Sequence, residues 1–252
     1  MPKQRGIIKL KGTIGDITFY KSIDGHLARG KGGVERERIM NDPSFQRTRE
    51  NCSEFGRAGA AGKMLRTAFR ALIMNASDSR MVSRLTRDMV KVIQEDAVSE
   101  RGQRNVLDGE LELLQGFEFN KNGKLGTTLF APFVKNIDRP AGELSIDIAS
   151  FIPVNMINAP TGTTHFKIVS AGAEIDFENG VYIVENSETA ILPYDSTATA
   201  AITLTNAVTA ASTKPLFLVL GIEFYQEVNG STYSLKNGAY NPLALTQVDS
   251  GV

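Results

Sequence analysis

The texture of this chain changes abruptly at Gly116, and that break limits the folds open to it more than any other feature. Before it, apolar residues return at spacings of three, four or seven; after it they fall in short β-branched and aromatic runs parted by Asn-Gly pairs. A helical period followed by a strand period segregates helices from strands, which predicts an α+β fold rather than an alternating α/β one. Candidate strands cover 117–120, 126–134, 143–151, 165–171, 174–177, 181–185, 197–208, 216–226 and 232–235, with hairpin signals at Asn122-Gly123, Asn179-Gly180 and Asn229-Gly230. Many short strands with regular turns predict an antiparallel β-sandwich, immunoglobulin-like in architecture. The Cys…Trp…Cys hallmark does not apply, since Trp is absent and Cys52 is the only cysteine. Within this half Leu216 to Phe224 is apolar on both faces, as a central strand buried twice over would be.

The first half reads as a basic β-meander followed by helices. Ile17 and Phe19 alternate with Thr18 and Tyr20, and Asp24-Gly25 signals the turn into 26–29. Gly30, Gly32 and Gly33 loosen the chain into a linker. Asp42-Pro43 then pairs an N-cap acceptor with proline at the first helical position. Phe45, Cys52, Phe55, Gly59, Gly62, Leu65, Phe69 and Leu72 form one apolar stripe of a long helix. A second helix begins near Asp78-Ser79 and turns Val82, Leu85, Met89, Val92 and Ile93 inward; a short third covers 108–114. The expected domains are 1–115, basic hairpin and helices, and 116–252, an acidic sandwich.

Charge follows the same division. The chain is neutral, yet residues 1–105 hold 21 Lys+Arg against 12 Asp+Glu, and residues 106–252 hold 7 against 16. Opposite signs on the two halves suggest different partners, or one end of a copy meeting the other end of the next. Arginine exceeds lysine by 14 to 7 in the basic half, which favours forked contacts to phosphate or carboxylate. Arg29, Arg47, Arg49, Arg57, Arg66, Arg70, Arg80, Arg84 and Arg87 are therefore the candidate anion- or partner-binding residues. Interleaved acids such as Glu50, Glu54, Asp88 and Glu95 offer intrahelical pairs that would absorb part of that charge.

No motif carries catalysis. Gly56 to Lys63 has five residues before its Gly-Lys pair and Met64 where a phosphate loop needs Ser or Thr. Gly56, Gly59 and Gly62 are instead expected to let another element approach the helix closely. Asp147, Glu174, Asp176, Glu178, Glu185 and Glu188 read as a polar sandwich face rather than paired catalytic carboxylates. His26 and His165 are the only histidines, and no cofactor, metal or small-molecule substrate is implied. The Asn-x-Ser triplets at Asn51, Asn75 and Asn229 are taken as chance matches. With neither a signal-peptide pattern nor an apolar stretch long enough to span a bilayer, the expectation is a cytoplasmic or particle-associated protein.

Gly12-Thr13-Ile14-Gly15-Asp16-Ile17-Thr18-Phe19-Tyr20-Lys21, a basic strand ending at Arg29, and Pro43-x-Phe45-x-Arg47-Thr48-Arg49 follow in order. Together they resemble a bacterial family of unknown function, with a Gly-bounded hairpin, a short linker, an Arg-containing helix and a β-rich remainder. The resemblance implies no catalytic residue. The expected function is a non-enzymatic, self-associating structural subunit of an oligomer, filament or phage-like particle, basic end against acidic end. The alternative is nucleic-acid binding by the basic half, with the sandwich as a protein-interaction module.

Overall fold

The computed structural model describes residues 2–30, 32–76 and 78–251. The chain divides into two compact units, Met1–Arg49 and Glu50–Val252.

In the first unit, β1 (Gly12–Ile14), β2 (Ile17–Ser22) and β3 (Gly25–Gly30) form an antiparallel meander. Gly15 takes φ +55° in the two-residue turn between β1 and β2, a conformation that costs glycine little. The second turn sits one residue earlier than its dipeptide suggested. Ser22 pairs with Gly25, so Ile23 and Asp24 make the loop, and the Asp24 N–H donates to Ser22 Oγ at 3.1 Å. Pro2 to Gln4 run along β3, with Ala28 N–H donating to Pro2 O and Gln4 N–H to His26 O. A short helix, α1 (Arg36–Asn41), leads to Asp42, whose carboxylate accepts the Ser44 N–H at 2.9 Å. That cap opens a single 3-10 turn, Pro43–Phe45, from which α2 (Gln46–Ala68) starts. Among the described residues of this unit only Leu27 is buried.

The second unit is layered: helices, a six-stranded sheet, then a three-stranded sheet. After α2 the helix breaks at Phe69 and resumes as α3 (Arg70–Ile73), and α4 (Met81–Gln94) follows. The buried stripe of α2 is Glu54, Ala58, Ala61, Gly62, Leu65 and Ala68, while Cys52 and Phe55 are exposed. Gly62, Leu65, Phe69 and Leu72 of the expected stripe are buried, whereas Cys52 and Phe55 before them are not, because there small alanines line the face that lies on the core. Glu54 is held inside because its carboxylate accepts the Gly102 N–H at 2.8 Å. In α4 the buried residues are Met81, Leu85, Met89, Val92 and Ile93, with Val82 outside. The expected third helix is one 3-10 turn, Leu111–Leu114.

A single helical turn, α5 (Leu125–Thr128), precedes β4 (Phe133–Asp138) and β5 (Glu143–Ile148); another, α6 (Pro153–Met156), precedes β6 (His165–Asp176). Then come β7 (Val181–Glu188), β8 (Leu192–Pro193), β9 (Ile202–Ala207), β10 (Leu216–Val228), β11 (Ser231–Ser234) and β12 (Leu243–Asp249). All pairings are antiparallel. In the larger sheet β10 and β6 are central. β11 and β12 share the outer edge of β10, and β7 and β8 share that of β6. β4, β5 and β9 make the smaller sheet.

Side-chain alternation along β10 builds both cores. Phe217 and Val219 join the helices' Leu65, Phe69, Leu85 and Met89, while Leu216, Leu218, Leu220, Ile222 and Phe224 face Leu144, Ile146 and Leu204. The two strands expected at 165–171 and 174–177 are one continuous β6. Gly172 in its middle is where the sheets meet, since a Cβ there would stand 2.8 Å from Asn206 Cβ. Beside it Asn206 Nδ2 donates to Ser170 Oγ at 3.0 Å, and Asn206 Oδ1 accepts from Ser187 Oγ at 3.0 Å. These bonds curl the far end of β7 over β9. The stretch 117–120 gives only one bridge, Glu118 to Ala244, and β12, which its sequence did not announce, completes the sheet.

Candidate functional site

A groove of about 910 Å³ lies on the second unit, between α2 and the β6–β7 turn. Each wall is fixed by an identifiable side chain. Asp176 closes β6 and accepts the N–H groups of Glu178 and Asn179, each at 3.0 Å, and Asn179 Nδ2 at 2.9 Å. That arrangement delivers Phe177 and Tyr182 to the groove, and Phe177 packs edge-on against Phe217. Arg139 donates to Ser212 O at 2.6 Å and Lys214 O at 2.8 Å while pairing with Asp249, which positions Thr213 to Pro215. On the helical side Arg57 donates to Gly102 O at 2.7 Å, Arg104 O at 3.1 Å and Gln103 Oε1 at 2.9 Å. Asn105 Oδ1 accepts the N–H groups of Leu107 and Asp108 and completes the rim.

Asp176 and Lys214 hold each other in their charged forms. The hydrogen bonds of Asn179 to Asp176, reinforced by Lys214 Nζ at 2.9 Å, hold that carboxyl well below the usual carboxylate range. The same contact with Asp176 raises Lys214 above its ordinary value, so its nitrogen stays a protonated cation and a poor nucleophile. Among the described residues no group of three or more His, Cys, Asp or Glu could hold a metal ion.

A second charged cluster lies on the helix-facing side of the larger sheet. Buried Glu223 accepts from Tyr225 Oη at 2.6 Å and Asn75 Nδ2 at 2.8 Å, with Lys167 Nζ 3.3 Å away. Burial would raise the Glu223 pKa, but these partners outweigh it and hold the carboxyl below its ordinary value. Burial and then Glu223 itself push Tyr225 up to about 12. Every member has a protein partner, which describes a structural network.

The nine arginines singled out from sequence do not converge. Arg29, Arg47 and Arg49 lie in the first unit and the others in the second. Arg29 stacks over Tyr20. Arg49 donates to Ile39 O at 2.7 Å and Asp42 O at 3.0 Å, and Arg66 to Gly62 O at 3.2 Å. Arg84 donates to Glu118 O at 2.6 Å, pairs with Asp78 at 2.5 Å and covers the Phe117 ring. Arg87 pairs with Asp88. Arg47, Arg70 and Arg80 are exposed, and only Arg57 reaches the groove. Of the three glycines, Gly62 packs on α4, where a Cβ would lie 3.6 Å from Leu85 Cγ; Gly56 and Gly59 have open space at that position. Several acids of the β-rich part tie neighbouring strands together: Asp147 accepts from Thr203 and Glu185 from the Ala207 N–H of β9, Glu174 accepts the Thr209 N–H just past it, and Glu188 pairs with Lys167 of β6. Sequence reasoning missed Lys214, Phe177 and Tyr182. The Asn179-Gly180 pair was their one local signal.

Beside the groove, β7 is the end strand of its sheet, and Val181, Tyr182 and Ile183 are all exposed. No described helix is long and apolar enough to cross a membrane. No protein-family model matches this chain, and neither a curated protein nor a solved structure is detectably similar to it.

Proposed function

We propose that this chain is a non-enzymatic structural subunit that assembles with copies of itself, its basic unit Met1–Arg49 engaging the acidic unit Glu50–Val252 of another copy. The observation that carries the reading is the first unit's missing core. Leu27 is its one buried residue among those described, while Ile7, Ile8, Leu10, Ile14, Ile17 and Ile23 are exposed. A three-stranded sheet with a single buried side chain is marginal by itself and gains stability from a partner. Charge favours the second unit as that partner: 11 Lys+Arg against 5 Asp+Glu in the first, 17 against 23 in the second. Two different patches on one chain make a heterologous contact, which closes into rings or runs on as filaments or a phage-like shell.

The facing sheets are read, within the same proposal, as a sandwich of immunoglobulin-like architecture that serves as a rigid receptor. Nucleic-acid binding by the helical arginines has less support, because Arg49, Arg57 and Arg84 are occupied by backbone carbonyls and Arg87 by Asp88. Sedimentation velocity tests the assembly. Species larger than a monomer are expected at about 50 mM salt and should weaken at about 500 mM, where charges are screened within a few ångströms. A monomer at both salts, up to about 100 µM protein, would refute it.

A further inference from the structure

We infer that the open edge of β7 is the docking site, and that its occupant is the segment Gly6 to Lys11 of a second copy, added as an extra strand. The inference rests on the assembly proposed above and names its contact. β7 pairs with β6 alone along its length, so every second N–H and C=O between Val181 and Val184 points away from the sheet. Val181, Tyr182 and Ile183 are 58, 41 and 50 % exposed. Sheet edges are ordinarily protected by lysine, proline or a bulge; β7 has neither residue, and its pairing with β6 runs without a register shift. Its only charges are Glu185 and Glu188. An apolar, acidic, unprotected edge is a template for strand addition by an apolar, basic segment.

Gly6-Ile7-Ile8-Lys9-Leu10-Lys11 has that chemistry. Ile7 and Ile8 are 102 and 80 % exposed. Among the described residues the segment is held through Gln4, whose amide donates to Leu10 O at 3.3 Å and accepts the Leu10 N–H at 2.9 Å, and whose carbonyl accepts from Lys9 Nζ at 2.5 Å. Few bonds must therefore break for it to extend. Once extended, Ile7, Lys9 and Lys11 share one face and Ile8 and Leu10 the other. On β7, Val181, Ile183 and Glu185 share a face and Tyr182 and Val184 the other. In a parallel register that sets Ile7 beside Val181, Ile8 and Leu10 meet Tyr182 and Val184 on one face, while on the other Ile7 meets Val181, the Lys9 stem covers Ile183 and Lys11 falls beside Glu185. Donor and acceptor are different parts of the chain, so each copy offers one of each.

The test uses two full-length variants altered at exposed positions, with circular dichroism to verify their folds. Ile183→Lys blocks the acceptor and keeps the donor; Ile7→Lys with Ile8→Lys blocks the donor and keeps the acceptor. Each alone is expected to sediment as a monomer, with at least a tenfold rise in dissociation constant. Mixed one to one, they should form a dimer that grows no further, because one intact donor meets one intact acceptor. Assemblies that survive both variants would overturn the β7 site and leave the assembly reading standing. A wild-type chain that is monomeric under all conditions would overturn both.

Discussion

Glu223 is the residue whose surroundings set the sharpest energetic expectation. Tyr225, Asn75 and Lys167 all converge on its buried carboxylate, so Glu223→Ala strands three polar partners at once. Removing one side of a buried, charged network costs about 3–5 kcal/mol, expected as a lowered urea midpoint with an unchanged slope. The sign with pH follows from the direction of the shift. Because folding lowers this carboxyl's pKa, its contribution is complete above the ordinary carboxylate range and fades as pH falls through the folded-state value. In the variant, Tyr225 should titrate below its native value of about 12, since the part of the shift due to Glu223 is lost while the part due to burial remains, read by ultraviolet difference absorbance. A Tyr225 titration unmoved by the substitution would show that the carboxylate does not govern it. The sequence sets Glu223 within a strand expected to be buried on both faces, but its partners were not legible, since Asn75 lies 148 positions away.

At the scale of elements, legibility followed side-chain size. β10 was evident because its apolar run is filled on both faces, and α4 because one face is bulky and the other charged. α2 misled because its core-facing positions are Ala58, Ala61 and Ala68, which weigh little in any hydrophobic pattern, while Phe55 points to solvent. β6 appeared as two strands because Ala171, Gly172 and Ala173 lack the bulk of a strand, although smallness there is what lets the second sheet approach. The same contrast predicts opposite outcomes for two glycine substitutions. Gly59→Ala adds a methyl to open space on a helix and should stabilise by up to about 1 kcal/mol, a rise of about 2–4 °C in melting temperature. Gly172→Ala puts a Cβ against Asn206 Cβ and Leu144 Cβ and should destabilise by about 1–3 kcal/mol. Calorimetry of both proteins decides; equal signs would mean that the sheets are not pinched at Gly172.

For the whole molecule the decisive quantity is how unevenly the apolar surface is buried. The sequence shows isoleucines early and late alike, and its charge changes sign near residue 105, so neither pattern marks residue 49 as a boundary. Burial does. The second unit fills two clusters of large side chains on either side of its main sheet, whereas the first exposes eight large apolar side chains and, among its described residues, buries only Leu27. Stability in a domain grows with the apolar area it removes from water, so the two units should behave differently when separated. A fragment of residues 46–252 is expected to unfold in one cooperative urea transition, with a free energy within about 1 kcal/mol of the full chain's under monomeric conditions. A peptide of residues 1–45 should show no stable sheet by circular dichroism, and should gain one only when a second chain offers a surface. If the peptide folds alone, the exposed isoleucines are tolerated rather than waiting for a partner, and the driving force assigned to assembly disappears. If the fragment instead loses several kcal/mol, the first unit stabilises its own chain and the case for a second copy weakens at its source.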